Sequence, residues 1–251
     1  MHVSFVGAGP GDPELITVKG QRLLGEADVI IYAGSLVNPA LLSLAKQGAS
    51  IYNSASMTLD QVIEVMEKAT ERGQKTVRLH TGDPSIYGAI QEQMDALDKK
   101  NISYEVIPGV SSFLATAAAL KREYTLPDVS QTVIITRLEG RTPVPEKEKL
   151  ALLASHNATM CIFLSVHMID SVMKELIDGG YHQDTPVAIV QKASWPDQKI
   201  FRGTVSTIGK IITDAKIDRT AMIVVGRCLD SQYALSRLYA PEFGHMYRDA
   251  K

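Results

Sequence analysis

The chain has 251 residues, a formal net charge of −2 and 22% charged residues, enough length to bury a substantial core as one large domain or two small ones. That balance excludes the global basic field that draws proteins to nucleic acid, while leaving open a local basic pocket for an acidic small molecule. The two cysteines, Cys161 and Cys228, lie in apolar strand-like runs with neither metal-ligand spacing nor a disulfide framework, so they read as buried, reduced thiols.

The chain opens on an apolar run, Val3-Ser4-Phe5-Val6, that predicts a buried strand. It runs into Gly7-Ala8-Gly9-Pro10-Gly11-Asp12-Pro13 and then into the periodic segment Glu14 to Val18, which predicts the start of a helix. A strand already under way at Val3 leaves no room for a secretion signal, and no apolar run approaches membrane-spanning length, so a cytoplasmic protein is expected. Strand, glycine-rich loop and helix start together suggest a nucleotide cradle. The dinucleotide fingerprint is G-x-G-x-x-G or A, however, and here Asp12 holds the third place. No carboxylate closes the next strand, Val29-Ile30-Ile31-Tyr32-Ala33-Gly34, where a ribose ligand belongs. A nicotinamide-dependent oxidoreductase is therefore the disfavoured alternative.

Gln61 to Ala69 has helical periodicity and ends near Gly73, a plausible C-terminal glycine. Thr76 to His80 and Tyr104 to Ile107 predict further strands, and Ser111 to Lys121 a helix rich in Ala and Leu. Lys121 to Asp128 breaks the pattern. A second set of strands follows at Thr132–Thr136, Thr159–Leu164, Pro186–Val190 and Ala221–Val225, with room for some antiparallel pairing. The economical reading is two successive α/β domains, 1–121 and 125–251.

Two more loops follow apolar strands: His80-Thr81-Gly82-Asp83-Pro84-Ser85-Ile86-Tyr87-Gly88 and Ile107-Pro108-Gly109-Val110-Ser111-Ser112. Loops at the carboxyl ends of strands converge on one crevice in an open α/β sheet, so separate segments can share a ligand. Taken singly, each is also explained as a turn, Asp83-Pro84 by its chemistry and Gly109 by its backbone freedom. The histidines form no ligand pair and no metal site is expected. His80, beside the Gly82-Asp83 loop, stands out, and Trp195-Pro196 either covers a cleft or braces a turn.

Val6 to Pro13, Gly82-Asp83-Pro84 and Ile107 to Ser112, at these separations, resemble the tetrapyrrole methylase family over essentially the whole chain. Within it, Tyr32 to Val37, Thr136-Arg137-Leu138-Glu139-Gly140-Arg141-Thr142-Pro143 and Ile162 to Ser165 look like the precorrin-4 C11-methyltransferases of cobalamin biosynthesis. The resemblance implies two α/β domains with the active-site cleft between them, a homodimer, and methyl transfer from S-adenosylmethionine to C11 of precorrin-4 or cobalt-precorrin-4. Other tetrapyrroles, RNA or a modified protein residue are the alternative acceptors within the family. It places Pro10, Thr81, Gly82, Asp83, Ile86, Ser111, Ser112, Leu164 and Ala193 at the cofactor, Ala193 standing where relatives often have Gly. Uroporphyrinogen-type relatives usually carry Asp, a proposed proton acceptor, where this chain has Ala33, so that role does not transfer.

A polycarboxylate acceptor makes guanidinium groups attractive partners. Of Arg122, Arg137, Arg141, Arg202 and Arg227, Arg137 and Arg141 rank first because they lie in the family-like segment, with Glu139 able to hold one in place. Asp83 is expected either to meet the methionine ammonium or to cap its own turn. The glycines of the first loop are expected to leave room for a flat macrocycle.

Overall fold

The computed structural model describes residues 3–230, 233–236 and 240–249. Two compact α/β units emerge: residues up to Ala115 with Lys192–Gln198, and Thr116–Gln191 with the residues from Lys199 onward. The linear division into 1–121 and 125–251 does not anticipate that 192–198 returns to the first unit.

The first unit runs β1 (Val3–Gly7), α1 (Val18–Glu26), β2 (Val29–Tyr32), β3 (Ser50–Asn53), α2 (Leu59–Glu71), β4 (Thr76–His80), α3 (Gln91–Lys99), β5 (Tyr104–Ile107) and the first turn of α4 (Ser112–Leu120). The strands form one parallel sheet ordered β3-β2-β4-β1-β5, with Val3 opposite both Thr76 and Tyr104. Parallel neighbours need crossover connections, and these cover both faces, which is why the central strands β1 and β4 are buried at every position. Val3, Phe5, Val29 and Ile31 pack beneath Val62, Ile63 and Met66 of α2 and Leu97 of α3. Val6, Ile30, Val77 and Leu79 face Leu24 of α1 and Leu41 on the other side. Each such side chain contributes about 1.5–3 kcal/mol by leaving water.

Local signals set the helix ends. Thr58 caps α2 in a capping box with Gln61, and Gly73 beyond its far end takes the left-handed conformation (φ +69°) expected of a terminal glycine. The first loop does not enter a helix at Glu14. Pro13–Leu15 makes a single 3-10 turn capped by Asp12, whose side chain accepts from the Glu14 amide at 2.9 Å, and α1 starts at Val18 behind the Thr17 cap. Asp12 and Thr17 each compete for amides that a continuous helix would need.

Chain order and sheet order together locate a topological switch point. From β1 the chain crosses to β2 through α1 on one face; from β4 it crosses to β5 through α3 on the other. β1 and β4 are neighbours, so the connections diverge between them, and the loops at their carboxyl ends, 8–13 and 81–90, flank the switch point.

The second unit contains the rest of α4, β6 (Val133–Arg137), α5 (Leu150–Ala154), β7 (Thr159–Phe163), α6 (Ile169–Asp178), β8 (Pro186–Gln191), β9 (Lys199–Thr204), α7 (Ile208–Asp214) and β10 (Ala221–Val225). Its sheet is mixed, ordered β6-β7-β10-β8-β9, with β6–β7 parallel and the other pairs antiparallel. Met160, Ile162, Val187, Ile189, Ile223 and Val225 pack on Val172 and Leu176 of α6 and Ile208 and Ile212 of α7. Cys161 and Cys228 are fully buried and form no disulfide. Burial pushes the Cys161 thiol up to about 12.

Candidate functional site

The carboxyl ends of β1, β4 and β5 meet backbone to backbone. The Ala8 amide donates to the His80 carbonyl at 2.7 Å, and Gly9 and Gly82 exchange amide–carbonyl bonds at 3.3 and 2.8 Å. A Cβ on Gly7 would stand 2.6 Å from Gly109 Cα, and one on Gly109 would stand 2.2 Å from the Gly82 carbonyl oxygen. Both contacts are far inside van der Waals distance, so the three loops approach this closely only because two side chains are missing. Gly7 and Gly109 therefore make room for neighbouring backbone, and the first loop's Gly9 and Gly11 stand against Leu15 and the Trp195 ring, so each of these glycines has a protein neighbour where its Cβ would lie.

Asp83 locks two of these loops together. Its Oδ1 accepts from the Ser85 amide at 2.8 Å and from the Ser85 hydroxyl, while Oδ2 accepts from the Gly109 amide at 2.8 Å. Partial burial pushes the carboxyl up, but the Ser85 hydroxyl and the Gly109 and Ser85 amides more than offset this and hold it below the usual aspartate value. Asp83 is thus both the cap of its own turn and the pin to the next loop. A carboxylate offers about four lone-pair positions, so roughly one remains for a ligand.

The segment 192–198 is fastened to the first loop. Trp195 Nε1 donates to the Pro10 carbonyl at 2.9 Å, the Asp12 amide donates to Ser194 Oγ at 2.9 Å, and the indole occupies the space beside Gly11, where a Cβ would lie 2.0 Å from Cδ1. Lys192 Nζ lies 5.6 Å above the same ring and also pairs with Asp197 at 2.5 Å. Of the two sequence readings of Trp195, the brace is the one with bonds to show. Lys192 and Ser194 are left-handed, at φ +51° and +69°, a local cost met by the ring packing and the hydrogen bonds around them. Pro10 and Ala193 are both buried in this assembly.

Among the remaining sequence candidates, Thr81, Ile86 and Ser112 are half-buried on the loops after β4 and β5, and Ser111 is buried with its carbonyl accepting the first bonds of α4. Pro10, Thr81, Gly82, Asp83, Ile86, Ser111, Ser112 and Ala193 therefore all belong to one unit and to the loops at these strand ends, including the 192–198 segment. The segments 7–13, 81–90 and 107–112 carry Asp12 and Asp83 and no Lys or Arg. The 192–198 segment adds Lys192, which is paired with Asp197, so the cluster as a whole carries more acidic than basic side chains.

Leu164 belongs to the second unit. It is 60% exposed with a left-handed backbone (φ +55°), an uncommon conformation for a large apolar side chain. Next to it Ser165 is buried, its Oγ accepting from the Leu138 amide at 2.9 Å and donating to the Phe163 carbonyl at 2.6 Å. Arg137 directs its guanidinium inward to its own loop, Nη1 to the Thr142 carbonyl at 3.1 Å and Nη2 to the Pro143 carbonyl at 2.7 Å. It shapes the 138–143 loop, on which Glu139 and Arg141 are exposed. Arg202 reaches the Leu120 carbonyl at 3.5 Å, Arg227 pairs with Asp230 at 3.3 Å, and Arg122 is half-buried.

His80 is 4% exposed, and desolvation, followed by the nearby Arg78 charge, pushes its pKa down to about 3. It is a neutral core residue. Sequence reasoning did not find Ser194 or Asn38, whose side-chain amide donates to the Gly11 carbonyl at 2.7 Å. Both act on backbone groups brought together only by folding, and neither sits in a motif that would have marked it.

Residues 2–209 match the family model for tetrapyrrole (corrin/porphyrin) methylases. The chain is 62% identical over 247 residues, 98% of its length and 95% of the relative's, to the cobalt-precorrin-4 C(11)-methyltransferase of Methanocaldococcus jannaschii. It is similar to the X-ray structure of a cobalamin biosynthetic enzyme, cobalt precorrin-4 methyltransferase, at TM-score 0.89 and 49% identity, covering 91% of this chain and 96% of that one. It also resembles the uroporphyrin-III C-methyl transferase of Thermus thermophilus complexed with S-adenyl homocysteine, at TM-score 0.74 and 26% identity, covering 92% and 94%. On the length of the family match and this degree of identity, the chain belongs to the tetrapyrrole methylase family.

Proposed function

We propose that the chain transfers the methyl group of S-adenosylmethionine to C11 of precorrin-4 or its cobalt complex, a step of cobalamin biosynthesis. The observation that carries this reading is 62% identity over almost the full length of a cobalt-precorrin-4 C(11)-methyltransferase. The loops at the carboxyl ends of β1, β4 and β5 are compatible with the donor: they present an ionised carboxylate and no cationic side chain, suited to a ligand bearing a sulfonium and an ammonium.

Bound S-adenosylmethionine supplies a methyl group already attached to a good leaving group, so the protein's task is alignment. Pro10, Thr81, Gly82, Asp83, Ile86, Ser111, Ser112 and Ala193 in the first unit, with Leu164 in the second, make up the proposed cofactor set. Backbone amides and small side chains meet polar edges without steric bulk, and Ile86 and Leu164 supply apolar surface for a base. The remaining acceptor position on Asp83 suits the donor's ammonium. Holding donor and acceptor in line and dry supplies effective molarities up to about 10⁵ M or more, and no single side chain has to act as a dominant catalytic group. Arg141 is the proposed substrate-carboxylate contact on the 138–143 loop, with Arg137 shaping that loop from within. A homodimer in the cytoplasm completes the proposal, supported by family membership.

Calorimetry with S-adenosylhomocysteine is the first test, and no binding to pure protein refutes the reading. Incubation with labelled donor and either metal-free or cobalt-containing precorrin-4 follows, with the methyl position located by NMR. Methyl at any carbon other than C11, or label in RNA instead, overturns the assignment of acceptor.

A further inference from the structure

Three residues of β4 whose side chains alternate onto the α2–α3 face, Thr76, Arg78 and His80, are polar and buried in a face otherwise built from Val3, Phe5, Val29, Ile31 and Met66. Arg78 is the costly one. It is 7% exposed, lies in register between Phe5 and Ile31, and has its pKa pushed down to about 10 by burial. A core of this kind gains as much or more from an apolar residue of similar volume, so packing does not explain a guanidinium there.

The bonds of Arg78 lead to a loop. Nη1 donates to the Ile31 carbonyl at 3.2 Å and Nε donates to Gln93 Oε1 at 3.1 Å. Gln93, itself 5% exposed, donates from Nε2 to the Ala89 carbonyl at 2.9 Å. Ala89 and Tyr87 are both left-handed non-glycine residues, at φ +49° and +56°. Between them Gly88 is pressed against Pro84, where a Cβ would stand 2.0 Å from the carbonyl oxygen. The helix that follows, α3, has no side-chain cap at Ile90. A buried charge, two left-handed residues and an uncapped helix start all fall within one short stretch of chain, and costs concentrated in this way mark a conformation kept for function.

We propose that Arg78 and Gln93 are positioning residues: they hold the 84–90 loop in its left-handed form and so preset Ile86 and the Asp83 turn for the methyl donor. The pair acts from beneath the loop and touches no ligand. This rests on the assignment of S-adenosylmethionine to these strand ends, and it adds that donor affinity is set by a relay running from the Ile31 carbonyl through Arg78 and Gln93 to the Ala89 carbonyl.

The test uses Gln93→Met, which breaks the relay at both ends, and Gln93→Glu, which keeps an acceptor for Arg78 but has no donor for Ala89. The readouts are Kd for S-adenosylhomocysteine, KM for each substrate, kcat and Tm. Both variants are expected to raise Kd and donor KM about fivefold or more, the loss of roughly one hydrogen bond's worth of positioning, with kcat at saturating donor and tetrapyrrole KM unmoved. Kd within twofold of wild type overturns the inference. So does an equal rise in both KM values, a fall in kcat at saturating donor, or failure of both variants to fold, each of which assigns the pair to general stability. Absence of binding by the wild-type protein refutes the functional reading, and the positioning role with it.

Discussion

Replacing Asp83 with Asn separates its two jobs. The carboxylate accepts from Ser85 on one oxygen and from the Gly109 amide on the other, whereas an amide keeps one acceptor and gains a donor. With the amide oxygen toward Ser85, Nδ2 faces the Gly109 N–H; with the amide flipped, the Ser85 N–H loses its acceptor. Either pose leaves one backbone amide unmet. Hydrogen bonds to charged groups are worth about 1.5–3 kcal/mol, and discounting for the partial exposure of Asp83 gives a cost of about 1–2 kcal/mol. For a chain of this size that lowers Tm by about 2–8 °C. The carboxyl is held below its ordinary value of 3.8, so its stabilising effect is complete above the unfolded pKa and disappears as pH falls through the folded one. The Tm difference between wild type and Asp83→Asn should therefore hold at about 2–8 °C from roughly pH 6 to 8, begin to narrow below about pH 4, and close only as pH falls through the lowered folded pKa. Calorimetry with S-adenosylhomocysteine should show about tenfold weaker binding, at the low end for a charged hydrogen bond. A Tm within about 1 °C of wild type near pH 7, smaller than the loss of either bond should cause, refutes the bridge; unchanged affinity limits Asp83 to the turn and the bridge.

Gly11→Ala should cost about 1–3 kcal/mol because its Cβ collides with the Trp195 ring, and Gly11→Ala with Trp195→Ala should destabilise by less than the two single changes summed. Denaturant midpoints giving additivity within about 0.5 kcal/mol would sink the proposed contact. His80, neutral in the fold with a pKa of about 3 against an ordinary 6.5, makes the unfolded chain bind the extra proton between those values. Stability should then climb with pH across that window by up to about 1.4 kcal/mol per unit, and a His80→Leu variant that keeps the full slope would show that another group is responsible. Cys161 and Cys228 should resist a thiol reagent at about pH 8 in the native state and react on denaturation, since both are buried with raised pKa values. Native labelling at the denatured rate would contradict this.

What the sequence conveys about the fold follows burial. Strands such as Val29–Tyr32 and Ala221–Val225 announce themselves because covered faces demand apolar runs. β3, exposed at every position, and β9, with no fully buried position, carry no such run and are not legible in the sequence; their pairing partners, β2 and β8, are what make them strands. The site divides the same way. Glycine and proline junctions after strands mark the three loops correctly, since the backbone chemistry is local. The purpose of individual glycines does not come through, because whether a missing Cβ makes space for a ligand or for a neighbouring loop depends on which residues stand opposite. Arg137 invites a reading from its charge, but its position on a strand leading into a tight loop gives its guanidinium nearer partners.

The return of 192–198 to the first unit has a practical bearing on how the protein can be cut. A fragment ending at the 121–125 break would leave the Pro10 carbonyl and the Asp12 amide without Trp195 and Ser194, and would open a ring-sized gap beside Gly11. Exchanging the first 121 residues for those of a homologue would put the homologue's first loop against this chain's Trp195 and Ser194. Chimaeras in this family should therefore carry the β8–β9 connection with the amino-terminal parent, as a third splice inside what a linear map draws as the carboxyl-terminal half.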